Sequence, residues 1–83
     1  MVINSSASTV ESLRQAVLAA IPDAQVEVGA NSPGHFQLRV VSPAFAGKSM
    51  VQQQQMVYSA ITELMRGDSA PVHAIDRLQT AVA

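Results

Sequence analysis

The side chains best equipped for chemistry in this chain are its two histidines, His35 and His73. Cysteine is absent, so there is no thiolate for zinc or for nucleophilic attack, and no disulfide to staple the fold. Neutral imidazole is a common metal ligand and changes charge near neutral pH. Two imidazoles cannot fill the coordination sphere of iron or zinc, which takes about four ligands. A metal held here would be a shared one, its other positions supplied by a second chain or a small thiol. On residue type alone, a lone histidine at a strand end is most often a surface or capping residue.

Other chemistry has thinner support. Glu11, Glu27, Glu63, Asp68 and Asp76 are dispersed, and spacing brings none of them to a histidine or serine as an acid–base pair or triad. Catalysis is therefore not expected. Gly47-Lys48-Ser49, ahead of a helix, resembles the end of a phosphate-cradling loop. Ser42 stands where that loop needs its first glycine, and Pro43 and Phe45 stiffen and crowd it. The same stretch reads as a strand-to-helix turn in which Phe45 plugs the core and Ser49 caps the helix.

The elements that must position the histidines follow from patterning. Ser8 and Glu11 have capping-box spacing, and Val10, Leu13, Val17 and Ile21 form a helical stripe that Pro22-Asp23 ends. Val26 and Val28, then Phe36, Leu38 and Val40, alternate with polar residues on either side of the turn-rich stretch Gly29 to Gly34. They predict a hairpin. Pro43 ends the second strand, and Met50 to Met65, free of glycine and proline, predicts a second helix with Val57, Ile61, Leu64 and Met65 inward and Gln52 to Gln55 mostly in water. A third strand is expected over Val72 to Thr80, its alternation broken by Asp76 and Arg77.

The resulting order, α-β-β-α-β, predicts an α+β fold with both helices on one face of a three-stranded mixed sheet. A crossover from strand two through helix two makes the last two strands parallel, so His35 and His73 open neighbouring strands at one sheet edge. The 83 residues suffice for one domain, 1–83, with residues 1–7 expected to be flexible. A net charge of -1 gives no electrostatic footprint for nucleic acid or anionic lipid. No segment nears the ~18 apolar residues of a membrane span. A cytoplasmic location is the expectation.

His35-Phe36, Val40-Val41-Ser42, Phe45, Gly47-Lys48-Ser49, Val51-Gln52, Gln55-Met56-Val57-Tyr58 and Val72-His73-Ala74-Ile75 resemble, in order and spacing, the signature of the BolA-like family. The resemblance runs from about Val10 to Thr80. It implies a BolA fold, similar to class II KH domains, and a non-enzymatic partner of monothiol glutaredoxins in iron-sulfur and iron homeostasis. Complexes of that family carry a bridging 2Fe-2S cluster, ligated by the glutaredoxin cysteine, glutathione, the C-terminal histidine of the BolA-like protein and a second residue in or beside the loop between its first two strands. Carried onto this chain, the metal ligands are His73 and, because Gly29 to Gly34 holds neither histidine nor cysteine, His35. No cluster is expected in the isolated protein, which should be a monomer or weak homodimer.

The resemblance also permits a second role, a nucleic-acid-binding transcriptional regulator with Gly47, Lys48 and Ser49 at the DNA. The residues support it weakly. A Gly-x-x-Gly clamp is missing there, and the only aromatics are Phe36, Phe45 and Tyr58. Gln52-Gln53-Gln54-Gln55 replaces the family's common Gln-Arg-His-Gln, which removes a cation and a possible ligand from that helix.

Overall fold

The central strand alternates without a fault. In the computed structural model, which describes residues 6–83, β2 (His35–Val41) buries Phe36, Leu38 and Val40 and turns Gln37 and Arg39 to the other face. Period-two alternation of this kind fixes which side of a sheet is the core side. Around β2 the chain adds α1 (Ser6–Ala20), β1 (Gln25–Ser32), a 3-10 turn at Pro43–Phe45, α2 (Met50–Met65) and β3 (Ala74–Ala81). The sheet order is β1-β2-β3, with β1 antiparallel and β3 parallel to β2. The α+β fold and the parallel crossover are as expected from the sequence.

Both helices cover the apolar face. Leu13 and Val17 of α1, Ile21 just past its end, Val57 and Ile61 of α2, and Phe45 from the 3-10 turn meet the three inward residues of β2 and Val72 in one core. The opposite face, with Glu27, Gln37, Arg39, Arg77 and Gln79, is left uncovered and polar. Among the described residues, no helix is long and apolar enough to cross a membrane.

α1 opens at Ser6, two residues ahead of the expected cap. Ser8 therefore lies inside the helix, where its carbonyl accepts the Ser12 hydroxyl at 3.1 Å. Glu11 bonds forward to Arg14 and Gln15, at 2.7 and 2.8 Å, and does not close a capping box. Of the segment expected to be flexible, residues 6 and 7 are helical and 1–5 lie outside the described residues. α2 begins where expected, in a complete capping box: Ser49 Oγ accepts from the Gln52 amide at 3.1 Å, and Gln52 Oε1 accepts from the Ser49 amide at 2.9 Å.

Three further departures shape the sheet. β1 runs through Gly29 to Ser32, so the expected six-residue loop shrinks to a turn at Pro33 and Gly34. Proline sets the first turn position, and Gly34 supplies the φ of +80° that the second requires. β3 starts at Ala74 instead of Val72, because the Val72 amide donates to the Leu64 carbonyl of α2 at 3.1 Å and so cannot join the ladder. Gln53, expected in water, is only 6% exposed. Its amide nitrogen donates to the Lys48 carbonyl at 3.0 Å and its oxygen accepts the Thr80 hydroxyl at 2.8 Å, which satisfies both ends of a buried side chain.

Candidate metal centre

His35 and His73 are brought to the same end of the sheet, as the parallel crossover requires. The His73 amide donates to the Gly34 carbonyl at 2.8 Å, and the Ala74 amide donates to the same oxygen at 3.1 Å. Gly34 immediately precedes His35, and His35 pairs with Ala74 across the ladder. His35 opens β2 as expected. His73 stands one residue before β3, in the short link between Val72, which is sealed in the core, and the first ladder pair.

The two imidazoles are seated differently. That of His73 is exposed and lies against the bare Cα of Gly34, and neither of its ring nitrogens has a hydrogen-bond partner in the described structure. His35 is part-exposed, and its Nδ1 lies 3.0 Å from Asp76 Oδ1. The second oxygen of that carboxylate accepts from Asn31 Nδ2 at 3.1 Å. Hydrogen bonding from His35 first, then from Asn31, holds the Asp76 carboxyl below the usual aspartate range despite a small opposing cost of desolvation.

Asp76 reaches this position through an irregularity in the ladder. Phe36 pairs with Ile75 and Gln37 with Arg77, so Asp76 is an extra residue in β3. Such a bulge lets two successive side chains point to one face, and both Asp76 and Arg77 are exposed. Asp76 and Asn31 are the site residues that sequence spacing missed. The signal for Asp76 was present, as a break in the alternation of β3.

Gly47, Lys48 and Ser49 follow the 3-10 turn beyond the far end of β2, and that end lies about 20 Å along the strand from His35. Backbone groups of Lys48 and Ser49 are engaged: the Lys48 amide donates to Phe45 O, the Lys48 carbonyl accepts from Gln53, and the Ser49 amide and hydroxyl form the capping box. The strand-to-helix turn is what this stretch builds, and Phe45 fills the core beneath it.

Among the described residues, no three of His, Cys, Asp or Glu cluster as a closed metal site. Two imidazole donors with no thiolate suit a centre completed by ligands from another molecule, and the mixed histidine and cysteine ligation of some 2Fe-2S clusters is chemistry of this kind.

The sequence matches the family model described as BolA-like protein over residues 4–81. The chain belongs to the BolA-like family. It is 40% identical over 65 residues, 78% of this chain and 75% of the other, to the "uncharacterized protein in rpoN-murA intergenic region" of Acinetobacter guillouiae. Its fold is similar to the BolA domain of SufE1 from Arabidopsis thaliana, with a TM-score of 0.71 at 24% identity over 90% of this chain and 92% of that one. A BolA protein homologue from Coxiella burnetii superposes with a TM-score of 0.70 at 23% identity, over 99% and 92% of the two chains. These two likenesses are of BolA fold.

Proposed function

We propose that the chain is a non-enzymatic, cytoplasmic partner of a monothiol glutaredoxin, with which it holds a bridging 2Fe-2S cluster in iron-sulfur or iron homeostasis. The observation that carries this reading is the exposed His73 imidazole, free of hydrogen bonds at either nitrogen among the described residues and seated beside the strand that His35 opens. His73 is the first ligand in this reading and His35 the second.

The chain's own residues do three things. The paired amide bonds from His73 and Ala74 to the Gly34 carbonyl fix the backbone beneath the His73 ring. The missing side chain at Gly34 leaves room for that ring. A neutral imidazole nitrogen then offers a lone pair to a metal. Once bound, the cluster supplies one-electron redox chemistry, with a potential that histidine ligation raises relative to thiolate.

Anaerobic reconstitution with a monothiol glutaredoxin, glutathione, iron and sulfide tests the reading by visible absorption and circular dichroism of the purified heterocomplex. His73→Ala should abolish or reshape the spectrum of the bridged species. An unchanged spectrum would remove His73 from the ligand set and the reading with it.

A further inference from the structure

The hydrogen-bonded chain Asn31–Asp76–His35 spans all three strands, and its first two members occupy irregularities in strand pairing. Ala30 pairs with Phe36 and Ser32 with His35, which leaves Asn31 as an unpaired extra residue in β1. Asp76 is the extra residue of β3. An added residue re-aims side chains locally. Here the two irregularities lie opposite the His35–Phe36 and Phe36–Gln37 links of β2, and Asn31 and Asp76 meet each other at 3.1 Å.

An ionised carboxylate only accepts hydrogen bonds. With its Oδ2 taken by the Asn31 amide, Asp76 meets His35 Nδ1 through Oδ1, so the shared proton sits on Nδ1. In neutral imidazole only one nitrogen carries hydrogen, which leaves Nε2 as the atom with a lone pair. Nε2 has no partner among the described residues, and the His35 side chain is 43% exposed. We infer that Asp76 is a positioning residue for His35: it holds the Nδ1–H tautomer and presents Nε2 as the ring's one donor atom for a metal, while Asn31 keeps the carboxylate in place.

A carboxylate behind a ligating histidine orients the ring and raises its basicity. Among the described residues His73 has no such partner, and it depends on its backbone seat instead. The metal-directed half of the inference rests on the proposed role of His35 as a ligand. The tautomer half does not.

Long-range 1H–15N correlation spectra of the 15N-labelled protein alone, at about pH 8 where imidazole is normally neutral, separate the two halves. The His35 ring should show a protonated Nδ1 and an unprotonated Nε2, the reverse of the tautomer that free histidine side chains favour. Asp76→Ala should move His35 toward the Nε2–H form and leave the His73 pattern unchanged. Asn31→Ala should produce a smaller shift in the same direction. A wild-type His35 mainly in the Nε2–H form overturns the inference, whether or not the variants fold, and so does an Asp76→Ala spectrum identical to wild type.

In the reconstituted glutaredoxin heterocomplex, Asp76→Ala should weaken cluster retention about 10-fold or more, the usual effect of losing a partner behind a ligand. If His35→Ala retains the cluster as wild type does, the metal-directed half is overturned while the tautomer assignment stands.

Discussion

A Cβ placed on Gly34 would lie 2.9 Å from both Cγ and Nδ1 of His73. No real side chain tolerates that separation without movement, and Gly34 also holds φ at +80°, where an L-residue is strained. Gly34→Ala should therefore cost about 1–3 kcal/mol and push the His73 ring off its seat. Urea unfolding reads the first effect and the His73 ring chemical shifts the second. Unaltered ring shifts in a folded variant would show that Gly34 does not seat the imidazole.

The buried pair of Gln53 and Thr80 ties α2 to β3 at the opposite end of the sheet. Thr80→Val removes the donor and leaves the Gln53 oxygen inside without a partner, at a cost of about 1–3 kcal/mol. Replacing both, as Gln53→Leu with Thr80→Val, removes the orphan and should recover much of that loss. Urea titrations of the two single variants and the double form a cycle that checks the coupling. Additive losses would show that the hydrogen bond contributes nothing of its own.

Ser49 is committed to helix α2. Ser49→Ala removes the hydroxyl that accepts the Gln52 amide and should cost about 1 kcal/mol, with no change in affinity for inorganic phosphate or for DNA measured at low salt. Loss of affinity for either, at unchanged stability, would assign Gly47-Lys48-Ser49 an anion-binding role.

Much of this architecture was legible in local pattern, and the exceptions have identifiable causes. β2 could be read residue by residue because one face is buried and the other is not. The parallel placement of β3 followed from the single helix between two strands. Gly29 to Ser32 read as a loop because glycine, asparagine and serine favour turns, yet their pairing with β2 outweighs that preference. Val72 read as a strand residue because it is apolar, and its amide instead belongs to the end of α2. Gln53 was invisible as a core residue because its buried polarity is satisfied by Thr80, which is distant in sequence. For the site, the histidines could be named from residue type and topology. Asp76 could not be joined to His35, since their contact exists only once two strands pair and one of them bulges.

Asp76 also sets a pH dependence. Its carboxyl ionises more readily in the folded chain, through its hydrogen bonds from His35 and then Asn31, than it would in the unfolded one. A depressed folded pKa stabilises the fold wherever the unfolded carboxyl would also be ionised, above about pH 4. That contribution fades as pH falls through the lower folded value and Asp76 takes up a proton in the native state. Wild type should therefore be more stable than Asp76→Ala at neutral pH, and the gap should narrow on acidification below about pH 4. Because the group is open to water, the gap is expected to be small and to shrink with added salt. Urea midpoints for the two proteins between neutral and strongly acidic pH measure it. A gap that stays constant as the pH drops would assign the loss in Asp76→Ala to packing or backbone effects at the bulge, and not to the ionised pair with His35.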